Sequence, residues 1–206
     1  MLLPRSIAWL PLSVRRVAFS RFWHEEYEAL RRKRLIESAE GYSFKPFLDH
    51  QCIFVHMLKV AGISVSTSLF GNLAGGHTSV GIYQIIFSKD EFARYFKFTF
   101  VRNPWDRIFS AYNFLQRGGL NSVDRRWAAE NLSSFTSFGE FVRRWASKRN
   151  VMKYVHFIAQ HKYLCLSYTQ QPAVDFVGYF ENLAADFNFV QQRIFKNSQI
   201  TLPHKM

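Results

Sequence analysis

The sequence predicts an α/β protein in which helices cover a central parallel sheet, and three observations support this class. Apolar segments at residues 51–55, 97–101 and 174–180 have the length and composition of buried strands. Each segment is followed by the start of a helix, and recurring strand–turn–helix units are typical of parallel sheets. The 206 residues, of which 48% are hydrophobic and 20% charged, also suffice for one sizeable core.

Residues 1–45 are predicted to form a basic, partly helical N-terminal arm, and residues 46–206 the α/β domain. In the arm, residues 31–34 read Arg-Arg-Lys-Arg. We interpret this run as a solvated helix face near Glu28, with a docking patch for an acidic acceptor as the alternative. The longest uncharged run near the start is nine residues and contains Pro11, which predicts neither a membrane span nor a signal peptide, and at most a peripheral membrane contact.

Local capping signals predict where the helices of the domain begin. Ser88 and Ser137 are each followed three residues later by Glu, which is the pattern of a capping box. Asn103 is followed by proline, which is favoured at the first position of a helix. With the apolar periodicity, these signals predict helices over 64–70, from 89, over 104–117, over 138–146 and from 183. The Gly-rich stretch 71–81, which holds His77, is predicted to be a loop.

The net positive charge indicates which classes of partner this protein could bind. A net charge of +12 and a pI near 10 predict affinity for nucleotides, polyanions or anionic membranes. No recognisable nucleic-acid motif is present, so we expect no specific nucleic-acid partner. The two cysteines, Cys52 and Cys165, do not form a disulfide framework, which favours a reducing cytoplasm. No Cys/His spacing indicates a metal site, and the sequence gives no oligomeric state.

The turn after the first strand carries the residue types that bind a phosphate. Gly62 lacks the Cβ that would block close approach, and the helix that follows offers unpaired N–H groups. Lys59 adds a cation and Ser64 a hydroxyl donor. A Walker A loop places its Lys after the glycines, whereas Lys59 precedes Gly62, so an NTPase loop is not predicted. A plain strand-to-helix turn with a surface lysine is the alternative.

A second turn of the same kind follows the next strand. Arg102 closes that strand, at the carboxyl end of the sheet, where open α/β folds bind ligands. Its forked guanidinium and the Ser110 hydroxyl would both donate to a phosphate. Arg107 is interpreted as a structural residue that pairs elsewhere. Two anion-binding turns on neighbouring strands suit a ligand with phosphates at two separate places.

Together these segments resemble the sulfotransferases that use 3′-phosphoadenosine 5′-phosphosulfate (PAPS), in particular the branch of Golgi carbohydrate sulfotransferases and their bacterial relatives. Residues 54–64, Phe-Val-His-Met-Leu-Lys-Val-Ala-Gly-Ile-Ser, resemble the 5′-phosphosulfate loop of that family. Residues 98–112, which include Arg-Asn-Pro-Trp-Asp-Arg, resemble its 3′-phosphate segment. Residues 174–183 resemble a later landmark. The resemblance covers the chain from about residue 50 onward.

The resemblance implies a P-loop-like fold and a set of residues that bind the donor. Lys59 would hold the 5′-phosphosulfate together with the loop backbone, and Arg102 with Ser110 would hold the 3′-phosphate. The loop positions implied in donor binding are Ala61, Gly62, Ile63, Ser64 and Val65. The reaction implied is in-line transfer of a sulfuryl group to a hydroxyl, for which we expect a carbohydrate, without a metal.

A base that titrates near neutral pH is best supplied by histidine. We predict that His77 is this base, because it lies between the two donor-binding segments and some glycan-sulfating relatives place a histidine in a similar stretch. A solvent-exposed loop histidine is the alternative. The resemblance also points to His156 as a contact for the acceptor. His56, on the strand, is interpreted as a packed core residue.

Three departures from the family pattern accompany the resemblance. Val60 and Ile63 stand where threonines are more usual, and Tyr179 stands where arginine is usual. The chain stops at Met206, whereas relatives usually continue, so the domain is expected to be short at its C-terminus and an inactive remnant is one outcome. A nucleotide-binding kinase or NTPase, and a non-enzymatic polyanion-binding module, are the other classes considered.

Overall fold

The structure is a computed structural model, which describes residues 1–36, 42–166 and 171–196. Its elements fall into two compact units, the sheet unit (residues 1–101 and 160–206) and the helical unit (residues 102–159). In the sheet unit the elements are α1 (Leu12–Phe22), α2 (His24–Arg32), α3 (Lys45–Asp49), β1 (Cys52–Phe54), α4 (Gly62–Phe70), α5 (Val80–Ile86), α6 (Lys89–Arg94), β2 (Phe96–Val101), α10 (His161–Leu164), β3 (Phe176–Tyr179) and α11 (Leu183–Phe195). In the helical unit they are α7 (Pro104–Gln116), α8 (Ser122–Asn131) and α9 (Phe138–Arg144).

The sheet of the described residues has three parallel strands in the order β1-β2-β3. Its register pairs Phe54 with Phe98 and Phe98 with Phe176. The side chains of β1 and of the middle of β2 are buried, and the stacked rings of Phe54 and Phe98 lie 4.9 Å apart. Each strand overlaps one of the three apolar segments, so the predicted α/β class and parallel sheet are confirmed.

The predicted starts of α6, α7 and α9 are confirmed together with the side-chain caps that predicted them, whereas α11 starts at Leu183 as predicted but without a side-chain cap from Asn182. Ser88 and Glu91 form a reciprocal capping box at α6. The Asn103 side chain accepts a hydrogen bond from the Trp105 N–H at the start of α7, and Ser137 caps α9. Such caps act within one turn of chain, so they can be identified from the local sequence.

Several helices have different bounds from those predicted or were not predicted. The loop predicted over 71–81 ends at Ser79, because α5 begins at Val80 and all seven of its residues are buried. A helix buried on every side shows no polar face, so its apolar pattern has no helical period. The helix α8 was not predicted, and α4 begins at Gly62, two residues before its predicted start.

The N-terminal residues, predicted to be an arm, pack within the sheet unit. Phe19 of α1 and Leu30 of α2 are buried. The Arg15 side chain is 1% exposed and donates to the Gln84 side chain on α5, and Arg16 donates to the Gln84 carbonyl. The predicted boundary at residue 45 and the division of the structure therefore fall at different places.

The basic run at residues 31–34 is largely occupied by contacts within the protein. Arg34 forms an ion pair with Glu91, and the Lys33 ammonium lies 5.9 Å above the Phe44 ring. Arg31 lies 3.5 Å from Glu28. These contacts count against the docking-patch alternative, and they differ from the predicted solvated face at Lys33 and Arg34, which are half-buried.

The helical unit has its own core. Buried apolar side chains of α7 and α9 form one cluster with residues directly after α8 and α9 and with Phe157. Its fully or nearly buried members are Ala111, Tyr112, Leu115, Leu132, Phe141, Trp145 and Phe157. The planes of Phe141 and Trp145 stack at 5.0 Å, and Phe157 packs against both rings.

Candidate functional site

The turn between β1 and α4 has an unusual backbone. The strand direction continues past β1, because Val55 N–H donates to the Phe98 carbonyl at 2.9 Å. The chain then adopts left-handed conformations at Lys59 (φ 67°) and Ala61 (φ 62°), neither of which is glycine. Such conformations cost about 1–2 kcal/mol for a residue with a Cβ. Two of them within three residues mark a turn whose shape is imposed by its surroundings.

The helix α4 begins directly after this turn and has no side-chain cap. Ala61 is the residue before its first turn, and an alanine side chain cannot accept a hydrogen bond from the backbone. The N–H groups at the start of a helix point outward, and the helix dipole makes this end positive. An uncapped start of this kind is suited to an anion, as predicted from Gly62 and Ser64.

A histidine side chain packs directly beneath the first residue of α4. A Cβ atom on Gly62 would lie 1.9 Å from Cδ2 and 2.0 Å from Nε2 of His56. The His56 ring stacks on Phe54 at 5.3 Å and meets the His77 ring edge-on at 4.5 Å. Gly62 is therefore required by a buried ring as well as by any ligand.

His56 is 2% exposed, as the prediction of a packed histidine requires. Its Nδ1 atom is buried and has no hydrogen-bond partner among the described residues. Burial, and to a smaller extent the neighbouring His77, lower the pKa of His56 well below its usual value of 6.5. The ring is therefore neutral at physiological pH.

Two side-chain hydroxyls form hydrogen bonds that hold the loop carrying His77. The Gly75 carbonyl accepts hydrogen bonds from the Thr78 hydroxyl at 2.9 Å and from the buried Tyr83 hydroxyl at 3.2 Å. A Cβ on Gly75 would lie 2.4 Å from that hydroxyl, so the glycine is needed for the contact. His77 itself is half-buried and faces His56.

Four of the other residues predicted for the first turn are at least partly exposed. Lys59, Ala61 and Ser64 are half-buried, and Ile63 is 54% exposed. The Thr67 hydroxyl, one turn further along, donates to the Ile63 carbonyl at 2.8 Å. The predicted loop residues therefore surround the uncapped start of α4.

The second predicted segment opens the helical unit. β2 ends at Val101, and Arg102 is the next residue of the chain. Arg102 and Ser110 are both half-buried. Arg107 is 5% exposed and donates to the His156 carbonyl at 3.3 Å, which agrees with its interpretation as a structural residue.

His156 belongs to a buried polar cluster in the helical unit. Its Nε2 lies 3.1 Å from Asp124 Oδ1, and the Tyr154 hydroxyl donates to the same carboxylate. Burial would raise the pKa of Asp124, but the hydrogen bonds from Tyr154, from the Leu120 N–H and from His156 outweigh it and lower the pKa. The acceptor-contact role of His156 stays a prediction, since this geometry also suits a purely structural cluster.

Sequence reasoning missed Asp124. The available signal was local, because Asn121 caps α8 through the Asp124 N–H and Gly119 leaves space for the Asp124 side chain. Its partner His156 is 32 residues away, which no local pattern reveals.

The described residues also bear on metal binding, membrane spanning and disulfide formation. Within residues 1–36, 42–166 and 171–196, no group of three or more His, Cys, Asp or Glu side chains is arranged to hold a metal ion. Over the same ranges, the helices are too short or too polar to cross a membrane. Cys52 and Cys165 are free thiols, and Cys52 is buried as predicted.

Similarity to known proteins assigns the family. Residues 83–206 match the model of the sulfotransferase family. An uncharacterized protein of Archaeoglobus fulgidus is 32% identical over 108 residues, which cover 52% of this chain and 72% of that protein. No solved structure matches the chain. The family match covers more than half of the sequence, including Arg102 and Ser110, and the chain therefore belongs to the sulfotransferase family.

Proposed function

We propose that this protein transfers a sulfuryl group from PAPS to a hydroxyl group of a carbohydrate in the cytoplasm. Family membership supports sulfuryl transfer in general. The observation that carries the more specific proposal is the start of α4, an uncapped helix end that follows two left-handed residues and begins with glycine. Because Lys59 and His77 lie outside the matched residues 83–206, their roles are inferred from this geometry and from the sequence resemblance.

The residues of the first turn fit the 5′ end of the donor. The first N–H groups of α4, which begins at Gly62, are not taken by a side-chain cap. Lys59 adds a positive charge within the same turn, and Ser64 a hydroxyl. These groups match the needs of a phosphosulfate, which carries negative charge and accepts several hydrogen bonds.

Arg102 and Ser110 are proposed to hold the 3′-phosphate. Arg102 follows β2 directly, and β2 is the parallel neighbour of β1, the strand that leads to Lys59. Guanidinium groups bind phosphates in a forked geometry. Hydrogen bonds to a charged group contribute about 1.5–3 kcal/mol each, so both contacts matter for affinity.

Bound PAPS would supply the sulfuryl group, and this chain's residues would control the proton and the developing charge. His77 would accept the proton of the attacking hydroxyl at an imidazole nitrogen as the new S–O bond forms. Lys59 would stabilise the negative charge that appears on the phosphate oxygen when the old S–O bond breaks. His156 would contact the acceptor.

Binding of a polyanion is a second candidate function, favoured by the charge of the helical unit. That unit holds ten Lys and Arg but four Asp and Glu in 58 residues. A polyanion bound through these charges would dissociate steeply as salt is raised, and it would bind regardless of nucleotide. The kinase alternative is disfavoured because Val60 stands where a Walker A loop has a hydroxyl residue.

Calorimetric titration with 3′-phosphoadenosine 5′-phosphate (PAP), the product that PAPS leaves, tests the proposal. We expect saturable binding of PAP at physiological salt, with weaker or no binding of ATP with Mg²⁺. Arg102→Ala should weaken PAP binding, whereas Lys89→Ala, which removes an exposed cation at the start of α6, should not. Preference for ATP with Mg²⁺ would contradict the proposal.

A further inference from the structure

Two segments of the sheet unit meet at one buried ring. His56 lies between the start of α4 and the loop of His77, and it touches both. Of the residues proposed for donor binding or catalysis, Lys59 and Gly62 belong to the first of these segments and His77 to the second. The His56 ring is thus a direct physical link between the anion-binding turn and the proposed base.

We propose that His56 is a positioning residue that sets the place of the His77 imidazole relative to the first turn of α4. This inference rests on the proposed function, because His77 acts as a base only if the chain transfers a sulfuryl group. His56 itself is not proposed to touch the donor or the acceptor.

The fit around the ring allows it little freedom. One face of His56 stacks on Phe54, with the two planes 4° from parallel and the centroids 5.3 Å apart. Its Cδ2–Nε2 edge abuts Gly62 so closely that a methyl group there would overlap it. A ring held on a face and an edge cannot rotate without displacing backbone, so it defines a fixed surface for its neighbour.

His77 packs against that fixed surface. The two imidazole planes meet at 66° with their centroids 4.5 Å apart, which is an edge-to-face contact. The His77 loop is separately fastened by the hydrogen bonds of Thr78 and Tyr83 to the Gly75 carbonyl. These bonds hold the backbone, whereas the contact with His56 restricts the imidazole itself.

The chemistry of His56 agrees with a role based on shape. Its Nδ1 atom has no hydrogen-bond partner within the residues that the structure describes, so the ring is not held there by a polar contact. Burial keeps the ring neutral through its lowered pKa, which avoids a second positive charge beside His77 when that residue takes up a proton. A flat, uncharged ring at this position supplies both properties.

The experiment compares variants that remove or keep the ring. His56→Ala removes it, and His56→Phe keeps a flat, uncharged ring without the nitrogens. Phe98→Leu is the control for loss of a buried ring, because its ring, on the adjacent strand, stacks on Phe54 rather than on either histidine. For each folded variant, we would measure PAP affinity by calorimetry and turnover of ³⁵S-labelled PAPS with a panel of free oligosaccharides.

We expect His56→Ala to lower kcat by about 10²-fold while PAP affinity falls by less than tenfold, because misplacing a base by about 1 Å costs that much in rate. His56→Phe should recover most of the lost rate. Phe98→Leu should keep the kcat of the native protein. Unchanged kcat in His56→Ala would overturn the inference, as would an equal loss in Phe98→Leu at matched thermal stability.

Two further results separate the possible failures. If the native protein neither binds PAP nor turns over PAPS, the proposed function fails. If it does both and His56→Ala does the same, only the positioning role fails. Should His56→Ala not fold, nuclear Overhauser contacts between the His56 and His77 ring protons of the native protein remain measurable, and their absence would overturn the inference.

Discussion

Helix α4 of the sheet unit begins differently from the three helices of the helical unit. In the helical unit, α7, α8 and α9 each start with a side-chain cap, from Asn103, Asn121 and Ser137. In the sheet unit, α4 starts after Ala61 with no side-chain cap, after a turn of left-handed residues, and above a buried histidine. A side-chain cap accepts a hydrogen bond from one of the first N–H groups of a helix, and no side chain does so at the start of α4.

The units also differ in charge density. Each has a net charge of +6, but the helical unit carries it on 58 residues and the sheet unit on 148. Positive charge is therefore denser in the helical unit, whereas the anion site that we propose lies at α4. Total charge and a built anion site are separate properties, and they can be tested separately.

The largest expected effect is on the rate of sulfuryl transfer. It distinguishes Lys59, in the proposed anion site, from the other positive charges of the protein. Lys59→Ala should lower the rate of sulfuryl transfer by about 10²–10³-fold, because it removes a group that stabilises the leaving oxygen. Lys153→Ala, which removes an exposed cation of the helical unit, should change that rate little. The ³⁵S turnover assay measures both. Equal losses in the two variants would mean that only total charge matters.

The next largest expected effect is a loss of stability when the contact between Gly62 and His56 is disturbed. Gly62→Ala should lower the free energy of unfolding by about 1–3 kcal/mol, because the new methyl group overlaps the His56 ring. The double variant Gly62→Ala/His56→Ala should recover part of that loss, with a coupling energy of about 1–3 kcal/mol. Urea unfolding measures the cycle.

The matched control for this cycle lies in the helical unit. A Cβ on Gly139 of α9 would meet no atom closer than 3.5 Å, and that atom belongs to the flexible Arg143 side chain. Gly139→Ala should therefore stabilise the protein by up to about 1 kcal/mol through helix propensity. Additive effects of Gly62→Ala and His56→Ala would show that the two residues do not touch.

The two units should lose stability over different intervals of acidic pH. His56 has a lowered pKa in the folded state, so its contribution is complete above pH 6.5 and falls as pH drops below 6.5, where the unfolded chain takes up the proton. The loss is about 1.4 kcal/mol per pH unit for one such group. The titratable group that faces His56, among the described residues, is His77.

Asp124 provides the contrast in the helical unit. Its pKa is lowered below the usual 3.8, so its contribution is present above that pH and is lost only as pH falls through the folded value. Urea unfolding from pH 7 to pH 5 should therefore show a slope that His56→Phe reduces and Asp124→Asn does not. A slope unaffected by His56→Phe would show that His56 is not buried in the neutral form.

The smallest effects concern the helix starts themselves. Ser137→Ala should cost about 1 kcal/mol, because it removes the cap of α9. Ala61→Gly should instead raise the free energy of unfolding by less than about 1 kcal/mol, because glycine adopts φ 62° without strain. Thermal unfolding measures both shifts. A loss of stability in Ala61→Gly would remove the case for backbone strain at this turn.

Local signals in the sequence predicted much of this arrangement. The strands followed from short apolar runs, since a parallel sheet covered by helices buries both faces of each strand. The starts of α6, α7 and α9 followed from caps that act within four residues. A helix start beside Lys59 and Gly62 also followed from the local sequence, but it was placed at Ser64, two residues after the observed start at Gly62.

Contacts between distant parts of the chain could not be predicted in the same way. The helix α5 lacks a polar face because the surrounding sheet unit buries it entirely, and no periodicity remains to be recognised. The contact of His56 with His77 joins residues 21 positions apart, and that of His156 with Asp124 joins residues 32 positions apart. Each pair consists of ordinary residues until the fold brings them together.

The sequence by itself determined the α/β class, the parallel strands, the capped helices and the resemblance that family membership bears out, because each depends on the pattern of neighbouring residues. Only the tertiary structure decided that Gly62 must be glycine to accommodate His56, that His56 is buried and neutral, and that Asp124 is the partner of His156. The physical reason is that excluded volume and desolvation depend on which atoms surround a group, and those atoms come from distant positions in the chain.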